Sequence, residues 1–164
     1  TVLFAWRLIY HVYTPRIKFS DHVHKSTEKA SVIYHIHFSN TGKRTIVDGK
    51  FHASLFFKKN QAQNGSWEEI LLPINPFGEV TEKFPAIKPA KDHHKAIEQR
   101  VTLQIGLLPS ETLPETANGK ASSLEDFLTT DTNAYVKASF SGFDAVSGKR
   151  KTFVSKKYNY NDFY

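Results

Sequence analysis

Several stretches of the chain alternate between apolar and polar residues, a period of two that is typical of half-buried β-strands. The clearest stretch is 134–158, where Val136, Ala138 and Phe140 alternate with lysine and serine. Residues 144–148 (DAVSG) then have turn chemistry, since Gly148 adopts a positive φ at little cost. We therefore predict a β-hairpin. Its return strand carries Thr152, Val154 and Tyr158 on one side and Phe153 and Ser155 on the other.

The same alternation predicts strands over 16–20, 32–38, 47–57, 67–74 and 101–107. Each has one apolar and one polar face, as in antiparallel sheets with one side in the core and one in water. In the second of these strands, the apolar face is predicted to carry Val32, Tyr34, Ile36 and Phe38, and the opposite face Ile33, His35 and His37. In the third, it is predicted to carry Val47, Gly49, Phe51, Ala53, Leu55 and Phe57, opposite Asp48, Lys50, His52 and Ser54.

Three stretches are predicted to be irregular: 21–31, which is polar, 75–95, which is broken by prolines, and 109–121. After the last of these, Ser122–Glu125 has the S-x-x-E pattern of a capping box and predicts a short helix that runs through Leu128. The fold class that follows is all-β, an immunoglobulin-like β-sandwich of about seven or eight strands with one short helix.

The amino-acid composition limits the number of domains and the kinds of site that the chain can have. The 164 residues fit one domain with a real core. There is no cysteine, which excludes a disulfide framework and a cysteine-based zinc site. Methionine is also absent, even at position 1, which indicates a processed or excised piece of a longer chain. The net charge is +6, but no run of basic residues interleaved with aromatics favours a nucleic-acid partner.

The first thirteen residues, TVLFAWRLIYHVY, are mostly apolar or aromatic. A bilayer span needs about 20 such residues, so this segment does not cross a membrane alone. It is either a first strand or packed helix, or the cytoplasmic end of a longer transmembrane helix. In the second interpretation its tryptophan and tyrosines form an interfacial belt, and Arg7 and His11 lie at headgroup level.

The sequence contains no catalytic signature. There is no G-x-S-x-G elbow, no P-loop and no G-x-G-x-x-G. His22 and His24, and His35 and His37, are spaced to share a strand face, but a zinc site needs three or four ligands. We therefore expect these to be solvent-facing histidines, and we predict no enzyme activity, no metal and no cofactor.

The 134–158 hairpin contains Ser141-Gly142-Phe143-Asp144 and Ser147-Gly148, and Ser155, Tyr158 and Asp162-Phe163 follow. With these residues it resembles the late hairpin of the cytoplasmic domain of inward-rectifier potassium channels. A second similar segment, Pro15, Arg16, Lys18, Phe19 and Ser20, looks like the strand that follows the inner pore helix in that family.

The most specific similarity lies in 38–55, where Asn40, Arg44, Asp48 and Leu55 follow the family's spacing, with Ile46 or Val47 between them. A short helix before the last hairpin is also similar. Residues 84–105 match the family poorly.

This resemblance implies that 1–13 is the end of a pore-lining helix and that 14–164 is the cytoplasmic domain of a prokaryotic inward-rectifier-like channel. Such domains form a homotetrameric ring on the cytoplasmic side of the bacterial inner membrane. The ring extends the potassium path and couples lipid or ligand binding to the gate. The selectivity filter is not in this sequence.

The resemblance also implies a membrane-proximal site for anionic lipid headgroups, formed by Arg7, Arg16 and Lys18. The alternative for the last two is that they are ordinary outward-facing cations of an edge strand. For the chain as a whole, the alternative is a free immunoglobulin-like module in the periplasm that binds a carbohydrate or a protein.

Overall fold

A computed structural model of the protein describes Ala5, residues 14–28, 31–59, 65–74, 80–84 and 99–103, Leu113, and residues 115–116, 119–121 and 123–164. The described strands are β1 (Ile17–Phe19), β2 (His24–Glu28), β3 (Ser31–Asn40), β4 (Ile46–Lys58), β5 (Trp67–Leu71), β6 (Val80–Phe84), β7 (Gln99–Leu103), β8 (Glu115–Thr116), β9 (Gly119–Lys120), β10 (Tyr135–Asp144) and β11 (Arg150–Val154). The helix α1 spans Leu124–Thr130, and a 3-10 turn spans Tyr160–Asp162.

The strands form two main antiparallel sheets. In the first sheet, β3 pairs with β1, β2 and β7. In the second sheet the order is β11-β10-β4-β5, and β6 pairs with the beginning of β4. β8 and β9 form a separate two-residue pair.

Aromatic rings join the two sheets. The Phe38 ring of the first sheet lies 5.3 Å from the Phe51 ring and 5.2 Å from the Phe140 ring of the second, measured between centroids. All three side chains are buried. From α1, Leu124, Phe127 and Leu128 also join this core. The prediction of an all-β sandwich with a short helix is confirmed.

The predicted hairpin is confirmed as β10 and β11. Phe140 pairs with Phe153, and Gly148 closes the turn with a φ of 64°. One face assignment was wrong: Tyr158 is fully buried, whereas Val154, placed on the same side, is 55% exposed. β11 ends at Val154, so the alternation no longer applies by residue 158.

A second face assignment, that of the beginning of β4, was wrong because this strand contains a β-bulge. Ser141 pairs with Lys50 but Phe143 pairs with Val47, so β4 contains one residue more than β10 over this interval. Asp48 within it has a φ of 49°. The extra residue reverses the alternation, so that Ile46 is fully buried and Val47 only half-buried. Ser54, predicted to be solvent-facing, is also buried.

Some elements differ from the sequence prediction. Residues 24–28, predicted as a connection, form β2, because backbone pairing with β3 does not require apolar side chains. β6 lies within 75–95, and β8 and β9 lie within 109–121, all predicted to be irregular. The helix cap is Ser123 and not Ser122: the Ser123 hydroxyl accepts from the Asp126 N–H at 3.1 Å, and α1 continues two residues past Leu128 to Thr130.

The C-terminal residues tie the two sheets together. The Tyr158 hydroxyl donates to the Ser20 carbonyl at 2.7 Å, between residues 138 positions apart. The Ser155 hydroxyl accepts from the Ala138 N–H at 3.0 Å, and the Asp162 carboxylate accepts from the Lys156 ammonium at 2.6 Å. Ser155, Tyr158 and Asp162, which are among the residues that carried the late part of the resemblance, therefore have structural contacts.

Candidate functional site

The backbone of Arg16, just before β1, is held by the turn that follows β3. The Asn40 side chain is fully buried, and its carbonyl accepts from the Arg16 N–H at 3.4 Å. In return, the Arg16 carbonyl accepts from the Gly42 N–H at 3.2 Å and from the Thr41 hydroxyl at 3.3 Å. These three hydrogen bonds fix the point at which the N-terminal segment enters the sandwich.

Gly42 is required by the closeness of this contact. A Cβ at position 42 would overlap the Arg16 nitrogen, and it would lie 2.7 Å from the Pro15 Cα. These are backbone atoms, so no side-chain rotation relieves the overlap. Only glycine allows the turn to lie directly against the entering chain.

The same turn is joined to the tip of the β10–β11 hairpin by a buried ion pair. The Arg44 guanidinium donates to the Asp144 carboxylate at 3.0 Å, and both side chains are less than a tenth exposed. Within the turn, the Asn40 amide donates to the Arg44 carbonyl at 2.8 Å. Arg16, Asn40, Arg44 and Asp144 thus form one continuous chain of contacts, which we call the junction network.

Asp144 is ionised in this network. Burial by itself would raise the pKa of its carboxyl, but hydrogen bonds from the Val146 N–H, the Ser147 hydroxyl and Arg44, together with the Arg44 charge, lower the pKa below its ordinary value. The Val146 N–H lies 3.0 Å from one carboxylate oxygen and the Ser147 hydroxyl 2.8 Å from the other. Asp144 therefore caps its own turn and pairs with Arg44 at once.

The predicted lipid-facing residues lie beside this network. The Arg16 and Lys18 side chains are exposed, two positions apart at the start of β1. Among the described strands, β1 pairs only with β3, so the edge-strand interpretation of these two cations stays open. Arg7 and the rest of the 1–13 segment apart from Ala5 lie outside the described residues.

Lys18 also borders an open cavity of about 230 Å³. Ser20, Asp21, His37 and Ser39 line the same cavity. A cation and a carboxylate therefore face it together, and its charge alone selects neither an anionic nor a cationic ligand.

The two histidine pairs lie close together, which their spacing did not predict; His24 is exposed, whereas His22, His35 and His37 are half-buried and not fully solvent-facing as expected. The His24 and His37 rings lie 5.2 Å apart, edge to face, and the His22 and His24 rings lie 4.6 Å and 5.7 Å from the Tyr164 ring. His35 shares a 2.9 Å hydrogen bond with the Ser26 hydroxyl. In the part of the chain that the structure describes, no three potential metal ligands are arranged to hold an ion.

Sequence reasoning singled out Asn40, Arg44 and Asp144 through the resemblance, but it did not find that they meet. Arg44 and Asp144 are 100 positions apart, and their partnership leaves no signal in a single sequence. One local feature of the sequence pointed to such contacts. The polar Asn40 ends a strand that is otherwise rich in apolar residues, and a polar side chain that is buried there needs hydrogen-bond partners.

Over the described ranges, no helix has both the length and the apolar character needed to cross a membrane.

No protein-family profile and no curated protein sequence matches the chain. Among solved structures, the chain is similar to the crystal structure of Spo0M, a sporulation control protein from Bacillus subtilis. The identity is 10% and the TM-score 0.39, over 88% of this chain and 48% of that one. The chain thus spans about half the length of that structure.

Proposed function

We propose that this chain is the cytoplasmic regulatory and assembly domain of an inward-rectifier-like potassium channel. In this proposal the domain forms a homotetrameric ring at the cytoplasmic side of a bacterial inner membrane. The ring extends the potassium path and transmits lipid or ligand binding to the gate through the segment that ends at Arg16.

One observation supports this proposal above the others. Three stretches resemble the family, one at 15–20, one at 38–55 and one at 141–163. Residues from all three meet in the junction network, through Arg16, Asn40 with Arg44, and Asp144. A domain that passes force to a preceding helix needs a stiff connection between the entering chain and its core. Hydrogen-bonded backbone and a buried ion pair provide that stiffness here.

Arg16 and Lys18 fit the lipid part of the proposal. Both side chains are exposed, and both follow directly on the segment proposed to leave the membrane. Anionic headgroups attract such cations within about a Debye length, roughly 10 Å at moderate ionic strength.

The full reading frame tests the proposal. A channel requires two upstream apolar stretches of about 20 residues each, with a selectivity-filter motif between them. A cleavable signal peptide directly upstream would overturn the proposal and favour the free periplasmic binding module.

Potassium flux through vesicles that contain the full-length protein is a functional test of the same proposal. Flux that is selective for potassium over sodium is expected. A product that inserts in the membrane but carries no flux under any lipid composition would contradict the proposal.

A further inference from the structure

A group of aromatic and lysine side chains occupies the outer face of the second sheet, at the end away from the junction network. We call it the aromatic–lysine face; it consists of Phe56, Lys58, Trp67, Tyr135, Lys137 and Lys157. The pairing of β4 with β5 and β10 sets Phe56 beside Tyr135, and Lys58 beside Trp67. Their neighbours Leu55 and Val136 point into the core, so these side chains point outward.

The rings form a connected apolar platform. The Phe56 and Tyr135 rings stack with centroids 5.2 Å apart and 16° between planes, and the Trp67 ring lies 5.4 Å from the Tyr135 ring. Trp67 is 49% exposed, and Leu71 on the same edge strand is 64% exposed. The rigid rings lose little entropy on binding, which is why tryptophan and tyrosine are enriched at binding hot spots.

Three ammonium groups lie over this platform. The Lys157 nitrogen is 4.4 Å and the Lys137 nitrogen 5.9 Å from the Tyr135 ring centre, and the Lys58 nitrogen is 5.4 Å from the Trp67 ring centre. Glu69, the register partner of Phe56, adds one carboxylate to this face, against three lysines. The neighbouring Glu68 pairs with Lys59 at 3.1 Å. The face is thus apolar and net positive at once.

From this geometry we infer that the aromatic–lysine face is a docking surface for an acidic protein segment that also carries apolar side chains. The segment's carboxylates would meet Lys58, Lys137 and Lys157, and its apolar groups would cover Trp67 and the stacked rings. The lipid site of the proposed function, at Arg7, Arg16 and Lys18, uses none of these residues, so the inference does not rest on it.

Like charges exclude a face-to-face contact with a second copy of this chain. A two-fold contact through this face would set each lysine cluster against its counterpart, and like charges across an interface are unfavourable. An anionic bilayer would meet the same lysines, and binding to vesicles distinguishes it from an acidic segment.

The test is fluorescence anisotropy of a labelled peptide made of three Glu-Glu-Leu-Asp-Phe repeats, titrated with the protein. Two comparison peptides separate the contributions, one with serine in place of leucine and phenylalanine and one with glutamine in place of the acids. We expect the first peptide to bind and both comparison peptides to bind at least tenfold more weakly. Its affinity is expected to fall as salt rises.

Variants then locate the binding surface. Lys58→Gln, Lys137→Gln and Lys157→Gln together are expected to weaken binding about tenfold, as is Trp67→Ala. The matched control, Lys43→Gln, Lys149→Gln and Arg150→Gln, removes the same charge from exposed positions near the other end of the sheet and should leave affinity within about twofold. Lys→Arg at the three face positions should restore binding, which separates a charge effect from misfolding.

Several results would overturn the inference. The first is that the peptide fails to bind the wild-type protein. The second is that the control triple variant weakens binding as much as the triple variant of the aromatic–lysine face. The all-acid serine peptide or heparin binds equally well, which would indicate general polyanion attraction. Vesicles of phosphatidylcholine and phosphatidylglycerol are bound through these lysines while the peptide is not, which would indicate a membrane surface.

Discussion

Arg44 and Asp144 form an ion pair at 3.0 Å that is buried between two turns from opposite ends of the chain. Each partner has a further role. The Arg44 carbonyl accepts from the Asn40 amide that holds Arg16, and the Asp144 carboxylate caps the hairpin turn. The pair is therefore both a link in the core and the means by which the entering segment is fixed to the β10–β11 hairpin.

The first prediction concerns the charge of Asp144. Asp144→Asn keeps an acceptor for the Val146 N–H but leaves Arg44 without its counter-charge. We expect the variant to lose about 1–3 kcal/mol of unfolding free energy at pH 7. Urea denaturation followed by circular dichroism measures this loss. Ser147→Ala is the control, because it removes the hydroxyl's hydrogen bonds to Asp144 and from the Lys149 N–H but no charge.

The same variant has a defined pH dependence. The pKa of Asp144 is lowered in the folded state, where hydrogen bonds and the Arg44 charge outweigh burial. The folded protein therefore binds this proton less readily than the unfolded chain. The stabilisation that ionised Asp144 contributes is therefore full above the pKa of 3.8 that its carboxyl has in the unfolded chain. This stabilisation is lost as the pH falls through the lower pKa of the folded state. The gap between wild type and Asp144→Asn should shrink below about pH 4, and a gap that stays constant down to pH 2 would contradict ionisation of Asp144.

The second prediction concerns Gly42. In Gly42→Ala the new methyl overlaps the backbone of Arg16, so either the turn or the entering chain must shift. We expect a loss of about 1–3 kcal/mol in unfolding free energy, the usual cost of overpacking. Faster hydrogen exchange at the Gly42 amide should accompany it, since that N–H bonds to the Arg16 carbonyl.

Gly148→Asn is the matched control for Gly42. Position 148 has a φ of 64° but open space around a Cβ, and asparagine tolerates that conformation. This control should lose less than about 1 kcal/mol and leave exchange at Gly42 unchanged. Equal exchange in wild type and Gly42→Ala would show that the turn does not hold the entering segment.

The third prediction concerns the register of β4. Phe51 is buried and contacts Phe38 at 5.3 Å between centroids, so Phe51→Ala should lose about 3–5 kcal/mol. Lys50→Ala and His52→Ala, on the exposed face, should stay within about 0.5 kcal/mol of wild type. Denaturant melts that made Lys50→Ala as harmful as Phe51→Ala would place the strand one residue out of register.

The strands that sequence alone predicted best are long and have clean alternation. β3, β4 and β10 each bury an apolar face, which side-chain polarity reports over most of their length. The exceptions are Ile33 in β3, which was assigned to the polar face and is buried, and Ile46, Val47 and Ser54 in β4. β2 was missed because HKSTE has no apolar alternation, and its place in the sheet depends on backbone pairing with β3. The bulge at Asp48 was missed for a related reason: the sequence shows no interruption, and only the partner strand reveals the extra residue.

The candidate site was predictable only in part. Lys18 and Arg16 were singled out as exposed cations, and their exposure agrees with the polar side of a short strand. The contacts of the junction network were not predictable, because each joins segments that are remote in sequence. Tyr158 illustrates the same limit, since its hydroxyl bonds to a carbonyl 138 positions away.

The fourth prediction concerns assembly. If this domain belongs to a channel, the full-length protein in detergent should be a closed tetramer, because pore helices of this class hold four subunits in a ring. Light scattering with correction for bound detergent gives the mass. The isolated domain at low concentration serves as the comparison, and a strictly monomeric or dimeric full-length particle would contradict the channel proposal.

The last prediction concerns Arg7, Arg16 and Lys18. If this domain belongs to a channel, these three cations lie beside the membrane. Anionic headgroups attract juxtamembrane cations by about 1 kcal/mol each, which would bias the position of the ring against the membrane. The Arg16 backbone is bonded to Asn40, Thr41 and Gly42, so a displacement of this segment is passed to the sandwich. We expect potassium flux through reconstituted full-length protein to respond to rising phosphatidylglycerol, and to respond much less when all three residues are changed to glutamine. The triple variant Lys58→Gln, Lys137→Gln and Lys157→Gln removes the same charge at the end of the sheet away from the junction network and should respond as wild type does. If all three proteins respond alike, these cations do not sense lipid, and Arg16 and Lys18 serve only to protect the edge of β1 from pairing with other strands.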